Sequence, residues 1–198
     1  MKQFTGLLII IALLSGCAFG TISRFSEKYT EGKTNVVANS SFEKGEPYSS
    51  NIPEGWIVSN EMENSIIWEE EARNEGDKCL KIENSNQKTN LISDKFMINS
   101  QSVYYTKCQI KSEKSTSKPV KLYLIAFDKK GNKVNEYSQE TVLDTEWNLI
   151  ELTSGFFNQD AVSARISVTI PKDEDNTFRI DDVESYNVHK FAYRYQTD

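Results

Sequence analysis

From residue 35 onward, apolar residues recur mostly at every second position, the period of a strand and not of a helix. Val120, Leu122, Leu124 and Ala126 alternate with Lys121, Tyr123, Ile125 and Phe127. Both faces of that strand are substantially apolar, which predicts one covered side and one side lining a groove. Asp128–Asn132 reads as a turn, with Gly131 able to take positive φ, and leads into a strand over 133–137. Val162, Ala164, Ile166, Val168 and Ile170 form a second clean alternation, which Pro171 closes before an acidic loop over 172–176. Further strands are predicted over 78–83, 95–98, 103–112, 147–152 and 178–186, where β-branched and aromatic residues lie between Asn, Ser, Asp and Lys. Residues 61–75 admit a helical turn or a strand; a strand through Ile66, Ile67 and Trp68, running into an exposed acidic loop at Glu69–Glu71, is favoured. Many short strands without intervening helices predict an all-β sandwich or jelly roll, with no internal repeat.

The first 16 residues are of another kind. Lys2 precedes the uncharged apolar run Leu7–Leu14, which suits a signal peptide and is short for a bilayer span. Small residues then lead to Cys17, and Leu14-Ser15-Gly16-Cys17 resembles the bacterial lipobox, whose Cys becomes the lipidated first residue of the mature protein. A plain secretory signal or an uncleaved anchor is the plainer alternative. Two or three acyl chains, at about 0.8 kcal/mol per buried methylene, would hold the chain to a membrane, outside the cytoplasm. The resulting plan is a signal peptide over 1–16, a lipidated Cys and tether over 17–34, one domain over 35–188 and a tail over 189–198. The tail carries the aromatic and basic stretch Phe191–Tyr195.

Charge and composition narrow the partners. The 198 residues carry 23 Lys and Arg against 29 Asp and Glu, a net charge of −6, which disfavours a nucleic-acid backbone as ligand. Aromatics at 11% against 9 Gly and 4 Pro supply core material that a disordered chain lacks. With Cys17 acylated, Cys79 and Cys108 remain as an even pair in an oxidising compartment, so a disulfide and two separate thiols are both open. Leu80 and Ile82 are expected to face inward, which turns Cys79 to the opposite side of its strand.

Four blocks, met in order, carry a resemblance. Asn35–Gly45, containing Phe42-Glu43, is followed by Ile52-Pro-Glu-Gly-Trp56; then come Asn74–Ile82, Thr145–Leu152 with Trp147, and Thr177–Val183 with Asp181-Asp182. Together they resemble the carbohydrate-binding modules of the family 4/9/22 type, over about residues 35–188. The resemblance implies a jelly-roll β-sandwich, also called galactose-binding-like. Such blocks mark structural positions, so Phe42, Trp56, Trp147, Phe178 and Ile180 are expected to pack and not to bind.

The resemblance also implies a structural calcium tying the first strand to the last. Glu43 and Asp181 would supply carboxylates, with carbonyls near Asn39 and in the Gly76–Lys78 turn completing a shell of six to eight oxygens. The plainer reading turns one of Asp181 and Asp182 to water, or pairs it with Arg179, Arg165 or Lys78. In related modules the glycan lies across the concave sheet, stacked on aromatic rings. The aromatics outside the core motifs are Trp68, Tyr105, Tyr123, Phe127 and Tyr137, with Arg165 and Gln109 as hydrogen-bonding neighbours.

Catalysis finds little support. No acid pair is marked out by apolar surroundings as a glycosidase needs, and the one His, His189, is expected beyond the last strand. The expectation is a non-catalytic lipoprotein module that binds polysaccharide or another glycan. The rival is a protein-interaction, adhesion or envelope-assembly module on the same fold.

Overall fold

Alternation translates directly into two antiparallel sheets. The computed structural model describes residues 25–45, 52–59, 65–70, 74, 76–85 and 87–190. Its strands are β1 (Trp56–Val58), β2 (Ser65–Glu69), β3 (Cys79–Ser85), β4 (Thr89–Ser93), β5 (Phe96–Met97), β6 (Ser102–Ser112), β7 (Val120–Phe127), β8 (Lys133–Thr141), β9 (Asn148–Thr153), β10 (Ser163–Ile170) and β11 (Asp173–Lys190). One sheet runs β1-β4-β10-β7-β8, with β5 also paired to β10; the other runs β2-β3-β11-β6-β9. Between them lies a shared apolar layer. Leu122, Leu124, Ile166 and Val168 enter it from the first sheet, and Leu80, Ile82, Ile110, Phe178 and Ile180 from the second. Each such side chain is worth about 1.5–3 kcal/mol when fully buried.

The opening segment lies against the closing strand. Val36 N donates to Ser185 O at 2.9 Å, Val183 N donates to Ser40 O at 2.9 Å, and Asn35 bridges to Tyr186. Phe42 is fully buried against Trp56, their ring centroids 5.1 Å apart, and the Trp56 indole donates to Asn39 O at 3.0 Å. Both are packing residues, as expected; Trp147 is half-buried.

Several expectations need correction. β1 and β4 carry too little alternation to be seen in the sequence: β4 turns Thr89, Leu91 and Ser93 inward, only one of them large and apolar. The acidic stretch after Pro171 is not a free loop. Asp173 already belongs to β11, and buried Asn176 holds Lys114 by two main-chain bonds of 3.0 Å. His189 stands inside β11, opposite Val103, so the tail begins later than residue 189. The tether reading fails from residue 25 onward. Phe25 packs on Val103, Tyr105 and Val188, a 3-10 turn forms over Glu27–Tyr29, and Glu27 pairs with Lys107 at 2.6 Å. The strand favoured around Trp68 is observed as β2.

Cys79 and Cys108 are both buried thiols, not a disulfide. β3 and β6 flank β11 on either side, so the two cysteines are two strand spacings apart, about 9.5 Å, beyond the ~7 Å a bridge can span. Cys108 points into the shared core, whereas Cys79 alternates with inward Leu80 on the other face. Burial, and then the neighbouring Asp181 and Asp182, push the Cys108 thiol well above its ordinary pKa. The signal peptide, Cys17 and the 191–198 stretch lie outside the described residues.

Candidate functional site

The outer face of the first sheet is built from the strand positions that do not feed the core. One row crosses the whole sheet: Ile57 on β1, Ile92 on β4, Ser167 on β10, Tyr123 on β7 and Ser138 on β8 are successive register partners. A second row runs Asn90, Thr169, Lys121, Glu140. A third sets Arg165 between the levels of Tyr123 and Phe127, opposite Ile125. Along this face β10 carries Ser163, Arg165, Ser167 and Thr169. Ser167 and Thr169 face outward yet are only 7% and 5% exposed, because larger neighbours on β4 and β7 stand above them. They form the floor of a trough, with Ile92 and Asn90 on one wall and Tyr123 on the other.

The trough presents the two kinds of group that sugar recognition uses, apolar surface and fixed polar atoms. Ile57 is 54% exposed and Met97 73%, while Tyr123 and Ile125 are half-buried. Asn90 is held rigidly: Thr169 Oγ1 donates to its Oδ1 at 2.7 Å, and its main-chain N and Nδ2 donate to Ser59 Oγ at 2.8 Å and 3.2 Å. At the far end Lys95 Nζ lies 4.3 Å from the Phe127 ring centroid and the Arg165 guanidinium 5.4 Å from it. Lys121 pairs with Glu140 at 2.6 Å.

Of the nominated ligand residues, the fold brings Tyr123, Phe127 and Arg165 together and places the others elsewhere. Tyr105 is fully buried on the opposite sheet, where its hydroxyl donates to Glu151 at 2.6 Å. Tyr137 turns inward at the rim of the core, edge-on to Phe157 at 5.4 Å, and its hydroxyl donates to Phe156 O. Trp68 belongs to β2 of the opposite sheet. Its indole donates to Phe42 O at 2.7 Å, its ring lies over Gly45, and Lys78 Nζ sits 3.8 Å from the ring centroid. Gln109 is on β6, also in the opposite sheet. Phe127 is itself covered in part by Lys95 and Arg165, which leaves Tyr123 as the platform. The sequence reading missed Ile57, Asn90 and Ile92, which sit on the two strands it did not detect, and Lys95, at the start of the strand it predicted over 95–98.

The acidic corner lies at the meeting of the first and last segments. Glu43 Oε1 accepts from Asp77 N at 2.8 Å and Lys78 N at 3.1 Å. Fully buried Asp181 accepts from Asn74 N at 3.0 Å and Asp182 N at 2.8 Å, and Asp182 accepts from the Asn74 side chain at 2.8 Å. Glu43 and Asp181 therefore grip the two ends of one short loop. Gly76 in that loop has φ of +67° and passes so close that a Cβ would collide with Glu43 Oε1. Among the described residues no three His, Cys, Asp or Glu side chains converge as a metal cluster. Glu43 and Asp181 are the carboxylates that meet this loop, and both are engaged by main-chain N–H groups, as the Asn39 carbonyl is by Phe42 N at 3.2 Å and by the Trp56 indole.

A separate groove of about 550 Å³ runs along the side of the sandwich between the edge strands β8 and β9, closed at one end by Phe25 and Ser26. Of the residues described above it shares Ser138 and Glu140 of β8 and Glu151 of β9, and it takes in none of Tyr123, Arg165 and Lys95. The architecture itself has clear counterparts. A family 61 carbohydrate-binding module solved with β-1,4-galactotriose superposes with a TM-score of 0.55 at 20% identity, over 78% of this chain and 99% of that one. The chain has the jelly-roll fold of carbohydrate-binding modules. A family 16 module gives a TM-score of 0.56 at 14% identity, over 76% and 99% of the two chains. The xylan-binding family 22 module of Xyn10C from Paenibacillus barcinonensis gives 0.51 at 15%, over 81% and 97%. No protein-family model and no curated protein matches the sequence. At these identities the jelly roll is shared, while the side chains on its sheets are this chain's own.

Proposed function

We propose that this jelly roll is a non-catalytic glycan-binding module whose ligand lies along the outer face of the β1-β4-β10-β7-β8 sheet. The observation that carries the reading is the row Ile57–Ile92–Ser167–Tyr123, an apolar and hydrogen-bonding strip across an open sheet face. A polymer needs an open path, and the trough that crosses this row along β10 offers one where a closed pocket would not. The ligands of the family 61 and family 22 neighbours, a galactotriose and xylan, make a polysaccharide the natural class to test. In affinity electrophoresis, Tyr123→Ala should reduce retention about five- to thirtyfold, as expected for the loss of a stacking ring worth roughly 1–2 kcal/mol. Trp68→Ala and Tyr105→Phe should leave retention unchanged in any variant that folds. No retention of the wild type on any polysaccharide would overturn the reading.

Membrane attachment through a lipidated Cys17, outside the cytoplasm, belongs to the same proposal and rests on the lipobox-like residues 14–17. Mass spectrometry of the mature amino terminus should find an acylated cysteine, and Cys17→Ala should release the protein from membranes.

A structural calcium at the acidic corner is proposed on Glu43 and Asp181, with main-chain carbonyls completing the shell. Bound there, it would supply a cross-link between the opening segment and β11, and no chemistry. Calcium should raise the melting temperature of the wild type and of Asp182→Ala, and not that of Asp181→Ala. Identical melting in calcium and in chelator would remove the ion from the proposal.

A further inference from the structure

We infer that the trough selects an acidic glycan, one bearing uronic-acid carboxylates, through Lys95 and Arg165; this rests on the glycan reading above and sharpens it. Two cations are gathered round one ring: Lys95 Nζ at 4.3 Å and the Arg165 guanidinium at 5.4 Å from the Phe127 centroid. Like charges so placed repel one another, and the ring's negative face offsets only part of that cost. In a chain with 29 acidic residues, carboxylates are plentiful, and they are used elsewhere on the same sheet: Lys121 has Glu140, and Lys133 has Glu136 at 3.0 Å. Neither Lys95 nor Arg165 has a carboxylate partner among the described residues. Asp128, which follows Phe127 on the turn, is engaged by Lys130 N, Asn132 N and the Asn132 side chain.

Arg165 carries a second mark. Its Nε is buried and makes no hydrogen bond among the described residues, whereas a buried donor ordinarily finds an acceptor. The two terminal nitrogens of a guanidinium also form a fork that matches the two oxygens of a carboxylate, without calling on the buried Nε. Arg165 stands on β10 in line with the trough floor, one outward position from Ser167, with Tyr123 of the neighbouring strand level with Ser167. A pyranose stacked on Tyr123 would therefore place the next residue of the polymer over Arg165 and Lys95. A carboxylate there would relieve the repulsion and satisfy the fork, which a neutral sugar cannot do.

The experiment compares each polymer with its own carboxyl-reduced form, so that linkage and length stay constant. Polygalacturonate and glucuronoxylan, native and carboxyl-reduced, are run in affinity electrophoresis at low salt and at about 0.5 M salt, where the screening length falls to a few ångström. Retention on at least one native polymer should exceed that on its reduced form about tenfold or more, and should fall with salt. Lys95→Met and Arg165→Met should each remove most of that preference while Arg165→Lys keeps part of it. Lys118→Met, remote from the trough, should behave as wild type. Lys95 is exposed, so its variant tests the proposal even where Arg165→Met does not fold. Equal retention on native and reduced polymers, or an unaltered preference in Lys95→Met, would overturn the acidic selectivity and leave glycan binding standing. Absence of retention on acidic and neutral polymers alike would overturn both.

Discussion

Tyr105 and Tyr186 illustrate how little an aromatic residue announces about its role until its partners are known. Tyr105 is sealed beneath Phe25 and hydrogen-bonded to Glu151, and Tyr186 donates to Glu184 at 3.0 Å. Burial, then the hydrogen bond and charge of Glu151, raise the Tyr105 phenol; burial, then the charge and hydrogen bond of Glu184, push Tyr186 up to about 12. The folded values lie above the unfolded value near 10, so the stabilisation is complete below about pH 10 and lost as pH rises through the folded values. At about pH 11 the native chain should show fewer ionised tyrosines by ultraviolet absorbance than the chain in urea, and Tyr186→Phe should narrow that gap. Period-two alternation set Tyr123, Phe127 and Arg165 on the faces of their strands opposite the inward apolar rows, and the structure makes those two strands neighbours. It could not sort out Trp68, Tyr105 or Tyr137. The Phe42 carbonyl, Glu151 and the Phe156 carbonyl claim those three side chains, and none of these partners is near them in sequence.

Strands show a similar division. Long ones with several inward apolar residues, β6, β7 and β10, are visible from their alternation alone. β1 and β4 are short, and the inner face of β4 is mostly Thr and Ser, so hydrophobic periodicity had almost nothing to register. β11 looked shorter than it is because its acidic start pairs through a bulge and through Asn176 instead of through apolar contacts. The placing of Cys79 on the other face of β3 followed from inward Leu80 and Ile82, whereas that of Cys108 on an inward face of β6 could be settled only once the strand order was known. With a Cys17→Ser chain, alkylation followed by mass spectrometry should find both thiols unmodified in the native state and both modified in denaturant. Electrophoretic mobility should be the same with and without reductant.

For the molecule as a whole, the family-like blocks were the most legible feature, because they fix where the opening segment meets the closing strand. Asn35, Glu43 and Asp181 all act at that seam, as the hydrogen bonds from Ser185, Asp77 and Asn74 make plain. The docking of residues 25–30 was illegible, since it depends on Lys107, which pairs with Glu27 at 2.6 Å and Glu184 at 3.0 Å. Burial opposes the Lys107 charge, but its bonds to Glu27 and Glu184 outweigh that and raise its pKa. Lys107→Met should cost about 1–3 kcal/mol in a urea melt, through the partly buried Glu184 it leaves without a cation. The same change should make Lys28 and Lys33 more susceptible to trypsin.

That docked segment also sets an orientation. Phe25 rests on the outer surface of the β2-β3-β11-β6-β9 sheet, so the polypeptide coming from Cys17 reaches the sandwich on the side away from Tyr123 and Arg165. A lipid at Cys17, as proposed above, would then draw on the domain from that side and leave the Tyr123 side facing away from the point of attachment. Polymers of the surroundings could be gathered there without first passing between the protein and its own membrane.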